Sequence, residues 1–383
     1  MPLSFSTDIL PLKNEEVQPA IDFLLKTKEF NSTLGYLFPD MNRKQVTAML
    51  NKIRSLDEFQ SKVTVEAFKF IIKRSMDKFN VEGLDNINTN EKYLFIANHR
   101  DIVLDSGLFN YYLHEKGIGT TEMAIGDNLV TSKWLGYLFA LNKSFTVKRS
   151  VPLSQVLEYS LELSRYIREA ITLKRTSVWL AQREGRAKDG NDATQGGLLK
   201  MLSISDEDLS FMENFGALNI VPLSISYEYD PTDSLKIPQL YAKEQGEKYA
   251  KKKNEDLSSI IAGILGYKGN VHLSIGKMIS KKQLEPIAQI KRKNERLKEL
   301  GQLIDEQIIL NYKLWGTNFI AYDLINNTDR FKHKYKAIEK KEFVSYMRKQ
   351  ISPLIGKTKD LNRLFLQQYS NPVSNQLLLG KEL

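Results

Sequence analysis

The sequence has no cysteine, and its 383 residues include only four histidines, at positions 99, 114, 272 and 333. The lack of cysteine excludes a disulfide framework, a thiol nucleophile and a cysteine-ligated metal. The histidines are too widely spaced to form a metal-binding motif. We therefore expect neither a metal nor a redox cofactor.

Long apolar segments are also absent. No stretch reaches the roughly 18 apolar residues that a membrane-spanning helix needs, and the N-terminus lacks the basic start and apolar run of a secretion signal. We therefore expect a cytoplasmic protein. Its net charge of +9 favours an anionic partner. Phosphorylated substrates, an anionic membrane surface, an acidic carrier protein and nucleic acid fit this charge, nucleic acid least well.

The spacing of apolar residues divides the chain into three regions. Residues 1–80 and 291–383 have helical spacing, and the second of these carries a lysine-rich run. Residues 81–290 alternate helical segments with short apolar runs, the predicted strands: 94–97, 123–125, 145–147, 177–181, 220–226 and 271–275. This alternation is typical of an α/β fold. We expect a mixed central sheet flanked by helices, with an N-terminal helical domain and a basic helical C-terminal extension.

The first predicted strand is followed by a histidine, His99, and then by two aspartates. A side chain at the carboxyl end of a buried strand can reach a cleft, where histidine can act as a general base. A carboxylate such as Asp101 or Asp105 would fix the imidazole tautomer. The same residues are equally compatible with a structural histidine and with Asp101 capping the following helix.

Three later stretches could add charge and shape to such a cleft. The strand near residue 145 ends in Lys148 and Arg149, which could hold a phosphate or simply lie in a solvated turn. Residues 183–188 combine a Glu-Gly turn with several cations, and such basic turns are common in α/β sheets. The strand at 220–226 contains Pro222, which predicts the start of a strand or an edge strand.

In order and spacing, these four stretches resemble the four sequence blocks of the glycerolipid acyltransferases, the family that includes glycerol-3-phosphate and lysophosphatidate acyltransferases. In that family four residues separate the histidine from the aspartate, whereas five separate His99 from Asp105. Asp105 corresponds to the family aspartate after a one-residue insertion, and Asp101 is the alternative. The resemblance covers residues 83–277.

The resemblance implies transfer of a fatty acyl chain from acyl-CoA or acyl carrier protein to glycerol 3-phosphate in phospholipid synthesis, at the inner face of the cell membrane. His99 would be the base and Asp105 its partner. No cofactor other than the acyl donor and no nucleic acid is implied. The implied phosphate-binding residues are Arg100, Lys148, Arg149, Arg183, Glu184, Gly185 and Arg186, and Pro222 would form the acyl-side wall.

Two alternatives remain open from the sequence. Within the enzyme class, the acceptor could be lysophosphatidate or another lysolipid. Outside it, the chain could be a non-enzymatic peripheral protein that binds acidic lipids, with His99 in a structural role.

Overall fold

The structure is a computed structural model that describes residues 11–149, 151–173, 176–206, 208–252 and 254–383. Its centre is a seven-stranded sheet of order β1-β7-β6-β2-β5-β3-β4. Only the β6–β7 pair is antiparallel in this sheet, which confirms the predicted mixed sheet. The strands are β1 (Lys78–Glu82), β2 (Leu94–Ala97), β3 (Glu122–Gly126), β4 (Ser144–Val147), β5 (Val178–Ala181), β6 (Ile220–Tyr227) and β7 (Asn270–Ile275).

Helices lie before, between and after these strands. Five precede the first strand, β1: α1 (Asn14–Leu25), α2 (Lys28–Leu37), α3 (Arg43–Leu50), α4 (Leu56–Phe59) and α5 (Val65–Ser75). The helices among the strands are α6 (Leu104–Glu115), α7 (Lys133–Leu141), α8 (Val156–Thr172), α9 (Gly196–Leu202), α10 (Phe211–Gly216), α11 (Asp233–Glu244) and α12 (Glu255–Leu265). The last five are α13 (Lys281–Ala288), α14 (Lys293–Asn311), α15 (Gly316–Asn326), α16 (Ala337–Ile351) and α17 (Thr358–Leu378).

The sheet separates two apolar cores. Successive side chains of a strand point to opposite faces. On β2, Leu94 and Ile96 join a core formed with α8, α9 and α14, whereas Phe95 and Ala97 join a core formed with α5 and α6. Helix α6 packs so close to α5 that an added Cβ at Gly107 would lie 2.1 Å from the Phe68 ring. The α5–α6 side is the side on which the cleft described below opens.

Strand β1 was not predicted. It runs from residue 78 to residue 82 and pairs in parallel with β7, so it crosses the predicted domain boundary at residue 80. Its sequence, Lys-Phe-Asn-Val-Glu, contains only two apolar residues, and the strand lies at the edge of the sheet with its side chains partly exposed. A short alternating strand of this kind gives a weak sequence signal.

The N-terminal helices form a small core of their own, which includes Val17, Leu24 and Phe59. That core also contains Leu141 from α7, and α5 contributes Phe68 to the core beneath the sheet. The helical residues preceding β1 are therefore packed directly against the α/β region.

The C-terminal helices are joined to the α/β region in a similar way. Helix α14 packs on one face of the sheet, and α15, α16 and α17 surround α11. The half-buried Tyr346 and the buried Tyr369 donate hydrogen bonds of 2.9 and 2.7 Å to Asp233 at the start of α11. Burial, with the nearby charge of Asp230, raises the pKa of Asp233 to about 7. Within the described ranges, no helix is both long enough and apolar enough to span a membrane.

Candidate active site

The candidate site lies at one edge of the sheet. Strands β2, β3, β4 and β5 run parallel to one another, so their carboxyl ends meet at this edge. A cleft opens there, and four of its lining residues end or follow these strands: His99, Gly126, Arg149 and Arg183. Sequence blocks that are far apart in the chain are thus brought to one cleft.

His99 is paired with Asp105. The imidazole Nδ1 lies 2.9 Å from Asp105 Oδ2. A carboxylate can only accept, so Nδ1 carries the proton and Nε2 is left as the basic nitrogen. The His99 side chain lines the cleft, and its ring meets that of Trp179 edge-on, with 6.0 Å between centroids. This geometry is that of a histidine ready to accept a proton from a bound hydroxyl.

Asp105 is the second residue of α6, and its carboxylate is fully buried. The backbone amides of Arg100 and Asp101 donate to Oδ2, at 2.7 and 2.9 Å. The Tyr227 hydroxyl donates to Oδ1 at 2.8 Å. A buried charge is costly unless hydrogen bonds compensate it, and here three donors besides His99 do so. The sequence did not indicate that Tyr227 contacts Asp105, because a tyrosine at a strand end gives no sign of the residue that its hydroxyl contacts.

Asp101 occupies a different position. Its Oδ1 accepts hydrogen bonds of 2.9 Å from the amides of both Val103 and Leu104, at the start of α6. Its Oδ2 is buried and has no hydrogen-bond partner in the described part of the chain. Burial, with the negative charge of Asp105, raises the pKa of Asp101. The structure thus places Asp101 at the helix start and Asp105 at His99.

Two predicted phosphate-binding cations line the cleft. Arg183 has no ion-pair partner among the described residues, and its Nε is buried without a hydrogen bond. Arg149 lies 3.6 Å from the Glu184 carboxylate, which is largely exposed. Gly126 leaves room for Arg149, because a Cβ there would lie 2.5 Å from the Arg149 Nε. Gly185, which also lines the cleft, has a φ of +69°, a conformation that glycine adopts readily.

Two other predicted cations are directed away from the cleft. Arg100 is buried, forms an ion pair with Asp192, and has its pKa raised by that carboxylate against the effect of burial. Arg186 is also buried, and it donates to the hydroxyls of Thr232 and Ser259 at 3.1 and 3.0 Å. Both guanidinium groups are committed to contacts within the protein, so the structure does not bring them to the site.

Lys148 and Pro222 are also outside the cleft lining. The Lys148 ammonium lies 5.7 Å from the centre of the Tyr159 ring. Pro222 lies in β6, an interior strand, which corrects the expectation of an edge strand. Its missing amide breaks no ladder bond, because pairing with β7 begins at Leu223 and the Pro222 carbonyl accepts from Gly276. Because Pro222 is not among the residues that line the cleft, it does not form the acyl-side wall predicted for it.

The deeper part of the cleft is apolar. The empty space amounts to about 1570 Å³, part of it open to solvent. Its walls come from α2, α4, α5, α6, α7 and α12, and they include Phe30, Leu34, Phe59, Phe68, Leu135, Phe139, Ile260 and Ile264. The N-terminal helices thus contribute directly to the site, which the sequence did not indicate. Among the described residues, no group of three or more acidic or histidine side chains could hold a metal ion.

Comparison with known proteins gives a family for part of the chain. A model of the acyltransferase family matches residues 78–215, which contain His99, Asp105, Arg149 and Arg183. No curated protein matches the sequence. Among solved structures, the chain is similar to the crystal structure of the 1-acyl-sn-glycerophosphate (LPA) acyltransferase PlsC from Thermotoga maritima. The identity is 14%, the match covers 77% of this chain and 96% of that chain, and the TM-score is 0.36.

The family match includes the first three of the four sequence blocks and the strands that position the candidate base. The resemblance to acyltransferases read from those blocks is therefore confirmed, and residues 78–215 of this chain are a domain of the acyltransferase family.

Proposed function

We propose that the protein transfers a fatty acyl chain from acyl-CoA or acyl carrier protein to glycerol 3-phosphate, a step of phospholipid synthesis. One observation carries this proposal: within an acyltransferase domain, the His99–Asp105 pair lies in a cleft that is cationic near the strand ends and apolar beyond them. A phosphorylated hydroxyl acceptor fits the first part, and an acyl chain fits the second.

The proposed reaction is direct transfer. His99 Nε2 takes the proton of the acceptor hydroxyl while the oxygen attacks the thioester carbonyl. The carbon–sulfur bond then breaks, and the imidazolium returns the proton to the leaving thiolate. Asp105 holds the Nδ1 proton and stabilises the imidazolium. The chain has no cysteine nucleophile, and the scheme requires no covalent acyl-enzyme and no cofactor other than the acyl donor.

The acceptor phosphate is assigned to Arg183 and Arg149. Arg183 is the better supported of the two, because it lines the cleft without an ion-pair partner in the described part of the chain. Arg149 can exchange its exposed contact with Glu184 for a phosphate at low cost, since exposed ion pairs contribute little. The amides of the turn at Gly185 could add further hydrogen bonds.

We also propose that the protein works at an anionic membrane surface, on the inner face of the cell membrane. Helix α12 supports this: Ile260 and Ile264 line the cleft, whereas Ile261 and Leu265 are about half exposed on the outer side. An exposed apolar helix beside an acyl-binding cleft suits a lipid surface. The net charge of +9 favours anionic lipid over neutral lipid.

A panel of acceptors tests the proposal. The purified protein would be given labelled acyl-CoA or acyl carrier protein together with glycerol 3-phosphate, lysophosphatidate or other lysolipids. We expect turnover with glycerol 3-phosphate to exceed turnover with the lysolipids. A preference for a lysolipid would reassign the acceptor, and vesicle binding without any acyl transfer would point to the non-enzymatic alternative.

A further inference from the structure

The two oxygens of the Asp105 carboxylate have different partners. Oδ2 accepts hydrogen bonds from His99 Nδ1 and from the backbone amides of Arg100 and Asp101. Oδ1 receives one hydrogen bond, from the hydroxyl of Tyr227. The carboxylate turns by rotation about its Cβ–Cγ bond, which moves both oxygens together. The Tyr227 contact restrains Oδ1 directly, and so adds a fourth hydrogen bond to the three that hold the carboxylate against His99.

Tyr227 is itself held rigidly. It is the last residue of β6, where it pairs with Val271 of β7, and its side chain is 3% exposed within the core shared with Phe109 and Leu273. Burial, with the negative charges of Asp105 and Asp101, keeps the pKa of Tyr227 well above its usual value. The phenol therefore stays protonated and donates its hydrogen to Asp105.

We propose that Tyr227 is a positioning residue for acyl transfer, which holds Asp105 in the orientation that directs the basic nitrogen of His99 at the acceptor hydroxyl. The inference rests on the function proposed above. The inference adds Tyr227, which lies more than 120 residues away in the sequence, to the His99–Asp105 pair. Tyr227 does not line the cleft and is not expected to touch either substrate.

The consequence of removing the hydroxyl follows from this geometry. In Tyr227→Phe, the ring still fills its place in the core, but Asp105 Oδ1 loses its donor. The carboxylate then has one restraint fewer on its orientation towards His99, so the hydrogen bond from Nδ1 to Oδ2 should weaken. The chemical step should slow, while binding of either substrate should be unaffected.

The test combines kinetics with a spectroscopic measurement on the resting protein. We expect Tyr227→Phe to lower kcat on the order of tenfold, with both KM values within about twofold of wild type. In protein labelled with ¹⁵N-histidine, the His99 Nδ1 proton resonance should move upfield, because its hydrogen bond to Asp105 weakens. Tyr93→Phe is the matched control: Tyr93 is equally buried in the same core, and its hydroxyl bonds to Asn88. It should change neither the resonance nor kcat.

The two readouts separate this inference from the proposed function. If Tyr227→Phe shifts the resonance but the wild-type protein transfers no acyl group, the coupling of Tyr227 to Asp105 stands and the proposed function is rejected. An unshifted resonance with kcat within twofold of wild type would reject the positioning role. An equal loss of kcat in Tyr227→Phe and Tyr93→Phe, with equal losses of melting temperature, would reduce the role of Tyr227 to packing.

Discussion

Asp101 and Asp105 lie four residues apart but have different partners, and substitution by asparagine should separate their roles. In Asp105→Asn, a neutral amide replaces the carboxylate that now accepts from three N–H groups and a hydroxyl, so it no longer stabilises the imidazolium of His99. We expect kcat to fall on the order of 10² to 10⁴, with little change in melting temperature. Asp101→Asn keeps an oxygen that can accept from the amides at the start of α6, so it should stay active and stable. An inactive Asp101→Asn beside an active Asp105→Asn would reverse the assignment.

Substitutions of the two arginines Arg183 and Arg186 should likewise have different effects. Arg183 lines the cleft, so Arg183→Gln should raise the acceptor KM about tenfold or more and leave the donor KM nearly unchanged. Arg186 bonds to Thr232 and Ser259 away from the cleft, so Arg186→Gln should lower the melting temperature without a selective rise in acceptor KM. Steady-state kinetics with each substrate varied in turn measures both. A selective effect of Arg186→Gln, with none for Arg183→Gln, would contradict the placement of the phosphate.

The sequence identified His99 and the pair of candidate aspartates because strand ends and capping positions are local features. It could not separate the cations that reach the cleft from those that do not. Arg100 directly follows His99, and consecutive residues of an extended chain point to opposite sides. Arg100 consequently turns towards Asp192, which lies 92 residues further along the chain. Such a partner depends on the tertiary fold and leaves no mark on the local pattern.

At the scale of elements, the six predicted strands are confirmed, because each centres on a short apolar run that packs in the sheet, although β3 is mostly half-buried. Strand β1, with polar residues at both ends, gave no comparable signal. The helical periodicity of α2 and α5 was correctly read, but it indicates only that one face is buried. It could not show that those faces line the cleft beside His99, because periodicity does not identify the packing partner.

Helix α12 is the element expected to contact lipid. Ile261→Glu places a charge on its outer face, so sedimentation with anionic vesicles should weaken about tenfold or more, the loss expected for one buried isoleucine. Ile355→Glu is the control, because Ile355 is 97% exposed in the turn between α16 and α17. Binding of both variants should fall as ionic strength rises. Equal loss in the two variants would indicate a general charge effect instead of a docking helix.

At the scale of the whole molecule, the three predicted regions share their cores. Phe68 of α5 and Leu300 of α14 are buried beside the sheet, although both lie outside residues 81–290. We therefore expect a fragment of residues 81–290, which also lacks part of β1, to show no cooperative thermal transition, whereas the full chain melts cooperatively. Circular dichroism measures both. A fragment that melts cooperatively would support the predicted division into domains.

The most direct test of the account is the turnover of His99→Ala. If His99 is the base that activates the acceptor hydroxyl, kcat should fall on the order of 10² to 10⁴, with the fold and acceptor binding retained. His333→Ala, at an exposed histidine outside the cleft lining, should behave as wild type. Acyl transfer by His99→Ala at a rate close to that of wild type would contradict the proposed mechanism.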